Sequence, residues 1–307
     1  MRSPECELRR VPRRLAVFLL LAAAACGGAA PATAPSPAAA GHLLIVGGGT
    51  QPPELVARFV ELAGGPGRAR IAVVPMASAQ AEEAGREKAE DLRRLGADAF
   101  PLLLTRAQAQ TDSAARLLEG ATGIWFSGGD QSRLTAVLEG TAVLDAIRRR
   151  YREGAVIGGT SAGAAVMSDS MLTGNQWKAG EDTVGYHGDE YPRVARHSIE
   201  VVAGFGLLPR AIVDQHFLRR ERQNRLLSVV LERPSFLGVG IDESTALLVR
   251  PDGRWSVLGA SAVLVVDARS AQITDPRAPI LGAAGLRVHL LPAGSTYDPR
   301  SGRAELP

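Results

Sequence analysis

Short apolar runs alternate with longer segments of helical period along most of the chain. His42–Val46 is apolar and ends in Gly47-Gly48-Gly49, and Leu55–Ala63 then repeats its apolar positions every three to four residues. The same alternation predicts strands at Arg70–Pro75, Ala99–Leu104, Gly123–Phe126 and Ala155–Ile157. Helices are predicted at Ala81–Leu95, Asp112–Leu118 and Leu144–Arg152. Buried strands separated by amphipathic helices imply a mostly parallel sheet covered on both faces, an α/β fold. Ligands of such sheets sit at the carboxyl ends of the strands. Those ends are Gly47–Gly49, Ser127–Gln131 and Thr160–Ser161. After about residue 235 the pattern changes to short strands with turn signals: Val239–Ile241, Ala246–Val249, Trp255–Val257, Ala262–Val266 and Val288–Leu291. These predict an antiparallel C-terminal extension of the same domain. Residues 41–307 contain no linker or repeat, so they are expected to form one domain.

The residues before 41 read differently. Five arginines precede an eleven-residue apolar run, Leu15–Ala25, followed by Cys26-Gly27-Gly28. A basic start, a short apolar stretch and small residues form an export signal, too short to span a bilayer. Cysteine after small residues resembles a bacterial lipobox, so residues 1–26 are expected to be a signal peptide with Cys26 lipidated, although Ala23 stands where leucine is commoner. Residues 27–40 are a Pro/Ala-rich linker. The expected location is therefore exported and membrane-attached only through the lipid, or otherwise periplasmic or extracellular.

Charge follows from that segment. The chain carries 35 basic and 32 acidic residues, and without the five arginines and two glutamates of the first 25 positions the signs balance at 30 each. The basic bias belongs to the leader and does not indicate a nucleic-acid surface. Cys6 and Cys26 are the only cysteines, so the 41–307 domain has no disulfide, thiol nucleophile or cysteine-ligated metal. The five histidines lack metal-ligand spacing, and no metal site is expected.

Ser161 is the candidate nucleophile. It follows the Ala155–Ile157 strand and has Gly159 and Gly163 at −2 and +2. This is the pattern of a sharp strand-to-helix turn that exposes a serine hydroxyl above a sheet. Gly47–Gly49 does not complete a dinucleotide fingerprint, because Pro52 stands where the last glycine is needed. A tight turn opening toward the site is the plainer assignment. A serine needs a base. His42 lies at the wrong edge of the sheet, His289 sits in a late strand, and His187 and His197 fall in an irregular stretch. His216 ends the apolar Ala211–Val213 strand and is predicted to lead into a helix, among Asp214, Gln215 and several arginines. Asp242 or Glu243, after another apolar strand, is the candidate to orient it. Helical spacing would place Arg219 and Arg222, with either Arg225 or Leu226, on one face, where guanidinium groups recognise carboxylate.

Four blocks in order carry a family resemblance: Gly128-Gly129-Asp130-Gln131, Gly159–Ala164, Asp214-Gln215-His216-Phe217 with Arg220, Arg222 and Arg225, and Ile241–Ala246. Together they resemble the cyanophycinases, serine exopeptidases of the peptidase E-like S51 family, over about residues 41–302. The resemblance implies a three-layer α/β/α sandwich related to class I glutaminases, a homodimer and no cofactor. It implies Ser161 as nucleophile, His216 as base and Glu243 as orienting acid, with an oxyanion hole from Gly128, Gly129 and Ala162. The implied substrate is cyanophycin, a poly-aspartate with arginine on each side chain, cut to β-Asp-Arg dipeptides. Asp130 and Asp214 would meet its guanidinium groups, Arg220, Arg222 or Arg225 its carboxylates, and Gln131 and Gln215 its backbone. Rival readings are an exopeptidase for other acidic or isoaspartyl peptides and an inactive binding lipoprotein of the same fold.

Overall fold

Leu43–Val46 forms β1, a strand buried on both faces because every residue in it is apolar. The computed structural model describes residues 41–177, 185, 188 and 190–307. The expected signal peptide, Cys26, the 27–40 linker and His187 lie outside the described residues. After β1 come α1 (Pro53–Leu62), β2 (Arg70–Val74), α2 (Ala81–Arg94), β3 (Asp98–Pro101), α3 (Arg106–Ala109), α4 (Asp112–Arg116) and β4 (Gly123–Phe126). They are followed by α5 (Gln131–Leu138), α6 (Ala142–Arg152), β5 (Val156–Thr160), α7 (Ala162–Ala165), β6 (Ser170–Gln176) and β7 (Ile199–Ala203). The last third holds β8 (Ala211–Gln215), α8 (Gln223–Glu232), β9 (Leu237–Ile241), β10 (Thr245–Val249), β11 (Trp255–Gly259) and β12 (Ala262–Asp267). It closes with β13 (Gln272–Ile273), β14 (Ala283–Ala284), β15 (Arg287–Pro292), β16 (Thr296–Asp298) and β17 (Arg303–Glu305).

The main sheet has nine strands in the order β17-β16-β11-β10-β1-β5-β4-β2-β3. The run from β1 to β3 is parallel, and β10, β11, β16 and β17 add to it antiparallel. The C-terminal extension is therefore present but divided. β9, β12 and β15 leave the main sheet and join β8 in a four-stranded sheet, where β8 and β9 run parallel.

Alternation along the strands decides the layers. Leu44, Val46, Ile71, Val73 and Trp125 face one side and pack with Leu55 and Phe59 of α1 and Ala89 and Leu92 of α2. Leu43, Ile45, Ala72, Val74 and Phe126 face the other. There they share a core with the short helices and with Val213, Val239, Ile241, Val263 and Val265 of the four-stranded sheet. The opposite face of that small sheet is covered by Leu226, Val229 and Val230 of α8.

Two differences from the sequence pattern bear on the site. Helix α5 is not anticipated by the apolar spacing; it starts at Gln131 because the Asp130 carboxylate accepts from the Ser132 N–H at 2.8 Å, a helix cap. Residues 216–222 form a turn, and the helix after His216 begins only at Gln223.

Gly158 lies under the edge-on pair Phe59–Trp125, whose ring centroids are 5.0 Å apart. A Cβ on Gly158 would come within 2.6 Å of both rings. Gly158→Ala is expected to lower stability by about 1–3 kcal/mol through overpacking, measured as a lower denaturant midpoint with an unchanged slope.

Candidate active site

The site is assembled from the ends of four strands. β5 delivers Ser161 onto a turn with φ 54 and ψ −112, a conformation an L-residue holds only when its surroundings enforce it. The enforcement is steric and hydrogen-bonded. A Cβ on Gly159 would meet the Gly163 carbonyl at 2.6 Å, and the Ser161 N–H donates to the Val46 carbonyl at 3.0 Å.

β8 delivers His216, also at positive φ (49), with its N–H donating to the Gly47 carbonyl at 2.7 Å. The His216 Nε2 lies 2.9 Å from the Ser161 Oγ, and its Nδ1 lies 2.6 Å from a Glu243 carboxylate oxygen. Glu243 follows β9, and Ser244 beside it is again at positive φ (54). Three of the six non-glycine residues with positive φ among the described residues thus stand in this one cluster. Of the two candidate acids, Glu243 reaches the imidazole. Asp242 accepts instead from the backbone N–H groups of Leu218 and Arg219.

The Gly47–Gly49 turn has a larger part than the sequence suggests. Gly48 (φ 114) carries no Cβ where one would run into the His216 ring. At Gly49 (φ 68) a Cβ would lie 2.9 Å from that of Glu243. Both backbones press on the site, and only glycine permits that approach at those angles. The signal was three glycines at the carboxyl end of the first strand.

Burial holds the His216 pKa below the usual imidazole range. The Glu243 hydrogen bond opposes that shift, and the nearby Arg220 and Arg222 guanidinium groups add to it. The ring is therefore neutral at pH 7, with one nitrogen able to accept a proton. Ala162 opens α7, so its N–H has no intrahelical acceptor. Gly128 lies against Ser161, where an added Cβ would be 3.5 Å from the serine Cβ, and Gly129 links it to the Asp130 cap.

The other predicted contact residues divide. Asp214 and Arg225 do not face a ligand: they form a fully buried bidentate pair, and Arg225 also donates to the Tyr191 hydroxyl at 2.8 Å. The expectation that Asp214 meets guanidinium and Arg225 carboxylate is corrected, because each is consumed by the other. Arg222 is buried and donates to the Gln215 carbonyl and side-chain oxygen at 2.9 and 2.7 Å. Gln131 is buried and donates to the Leu172 and Thr173 carbonyls at 2.8 and 2.7 Å. Arg219 and Arg222 precede α8, so no single helix face carries Arg219, Arg222 and Arg225. Asp130 caps α5 and stays half-exposed.

Arg220 continues the His216 turn, its N–H donating to the His216 carbonyl at 3.0 Å. With Arg219, Glu221 and Glu190 it lines a cavity of about 590 Å³. His197 is exposed and pairs with Glu232, away from Ser161. Among the described residues no group of three His, Cys, Asp or Glu side chains is arranged to hold a metal.

Residues 43–255 match the family model of peptidase family S51. A cyanophycinase of Synechococcus elongatus is 36% identical over 256 residues, covering 81% of this chain and 75% of that protein. A cyanophycinase of Trichormus variabilis is 36% identical over 253 residues, covering 80% of each chain. The solved structure of a peptidase from an acI-B1 actinobacterium shares the fold, with a TM-score of 0.59 and 23% identity over 83% of this chain and 98% of its own.

Three outcomes follow from these contacts. The His216 ring is expected to titrate below the ordinary value of about 6.5 in nitrogen-edited NMR. Arg220→Gln removes a positive charge that disfavours the imidazolium, so it should move that titration to higher pH. Asp214→Asn leaves Arg225 buried without its counter-charge and should cost about 3–5 kcal/mol of stability in chemical denaturation.

Proposed function

The chain belongs to peptidase family S51 and is a peptidase, and from that premise we propose that it is a serine exopeptidase releasing β-Asp-Arg dipeptides from cyanophycin. The observation that carries the mechanism is the contact chain from the Ser161 Oγ through His216 to Glu243, at 2.9 and 2.6 Å. As the Ser161 oxygen attacks the scissile carbonyl, its proton passes to the His216 Nε2. Glu243 accepts from the Nδ1–H and stabilises the imidazolium that forms. The carbonyl oxygen becomes an oxyanion facing the N–H groups of Ala162 and the Gly128–Gly129 turn. His216 then returns its proton to the leaving amine, which departs and leaves an acyl-enzyme on Ser161. Water, deprotonated by His216, cleaves that ester and restores the hydroxyl.

Recognition rests on a smaller set of side chains than the sequence suggested. A β-linked Asp-Arg unit carries guanidinium and carboxylate together. The cavity that Arg220 lines offers both signs in return, with Glu190 and Glu221 for the first and Arg219 and Arg220 for the second. Its volume lies in the usual range for small-ligand sites. Asp130, half-exposed at the end of β4, is the further carboxylate for guanidinium. Gln215 and Arg222 are bonded to each other, and Gln131 holds β6, so none of the three is counted among the ligand contacts. We also propose export with lipid attachment at Cys26, supported by the arginine-led apolar run, and a homodimer, supported by the family resemblance.

Residues 41–307 incubated with insoluble cyanophycin are expected to release β-Asp-Arg, detected by mass spectrometry, and Ser161→Ala is expected to release none. Release of equal amounts by both would remove Ser161 from the mechanism. Absence of product from the wild type, with Ser161 still acylated by a small activated carboxylic ester, would assign the peptidase another acidic or isoaspartyl peptide.

A further inference from the structure

Two adjacent acids follow β9, and only Glu243 touches the imidazole. Asp242 is tied to the same histidine by another route. One of its carboxylate oxygens accepts from the N–H groups of Leu218 and Arg219 at 3.1 and 2.9 Å. The other accepts from the Ser261 hydroxyl at 2.8 Å. Leu218 and Arg219 belong to the 216–222 turn, the segment that holds His216 at positive φ. The turn has two other backbone ties before them, His216 N–H to Gly47 and Phe217 N–H to Ile241. Asp242 supplies the next two, so four successive N–H groups starting at His216 are each anchored.

Ser261 is itself fixed. Its N–H donates to the Thr245 hydroxyl at 2.9 Å, and that hydroxyl donates to the Glu243 carbonyl at 3.0 Å. The Asp242 brace therefore closes a loop of hydrogen bonds onto the backbone of the residue that orients the imidazole. Asp242 is not among the groups that shift the His216 titration.

We propose that Asp242, held by Ser261, is a positioning residue: it clamps the 216–222 turn so that the His216 imidazole stays aligned between Ser161 and Glu243. This rests on the serine-hydrolase assignment above. The required property is an acceptor for two amides on one oxygen and a partner for a hydroxyl on the other. Asparagine satisfies that demand, since its oxygen accepts from both amides and its NH₂ donates to the Ser261 oxygen. Alanine satisfies none of it. The role therefore predicts that the charge is dispensable and the geometry is not.

The readout is the rate at which a small activated carboxylic ester acylates Ser161 with loss of its alcohol or phenol, which is independent of the polymer. Asp242→Ala is expected to slow acylation about 100-fold, the order of loss produced by a displacement near 1 Å in a reacting group, while Asp242→Asn stays within about threefold of wild type. The pH dependence of acylation in Asp242→Asn should be unchanged. Thermal melts of both variants establish that the rates refer to folded protein. Acylation of folded Asp242→Ala at the wild-type rate would overturn the inference, as would a loss in Asp242→Asn equal to that in Asp242→Ala. A wild-type protein that the probe does not acylate would overturn the serine-hydrolase assignment itself, and this inference with it.

Discussion

The close seat of His216 against the end of β1 is the constraint on which the site depends. The His216 N–H is bonded to the Gly47 carbonyl, and its ring occupies the space a side chain at Gly48 would need. β1 lies between β5 and β10 near the middle of the main sheet. One strand end thus sets the distance between the Ser161 hydroxyl carried by its parallel neighbour and the His216 imidazole carried by a different sheet. The small sheet must pack on the main one for His216 to arrive, and the shared core of Val213, Val239 and Ile241 with Leu43 and Ile45 secures that packing.

Strain is gathered where Ser161, His216 and Glu243 meet. Ser161, His216 and Ser244 each hold a backbone angle unfavourable to L-residues, at a cost of roughly 1–3 kcal/mol apiece. Each is offset locally by hydrogen bonds to the Gly47–Gly48 turn or to the end of β1: Ser161 to Val46, His216 to Gly47 and Ser244 to Gly48. The last residue of the first strand and the turn after it therefore receive all three of these residues.

Much of this was legible in the sequence because the signals are local. The β5 apolar run and the glycines around Ser161 define its turn, and the apolar run of β8 delivers His216 to a strand end. The small sheet was not legible, because pairing between β8 and β9 or β9 and β12 is set by which face each strand buries, not by any neighbour in the chain. The fates of Asp214 and Arg225 were hidden for another reason. A charged residue reads as solvent-facing, and only the apolar neighbours Val213 and Leu226 hinted that this pair is buried. The partners of Gly48 and Gly49 were not legible, because a glycine turn announces room for close approach without saying what approaches.

The packing of Gly48 on the imidazole has a dynamic corollary. A histidine that passes a proton from one side to the other is sometimes imagined to rotate between steps. Here the ring is confined between a backbone wall and two bonded partners, so reorientation requires the Gly47–Gly49 turn to move. That turn is tied on both sides, by the Gly47 N–H donating to the Thr245 carbonyl and by the Gly47 and Gly48 carbonyls accepting from the His216 and Ser244 N–H groups. Rotation of the imidazole is thereby coupled to local opening of the turn that follows β1, a slower event than the rotamer flip of an unconfined side chain.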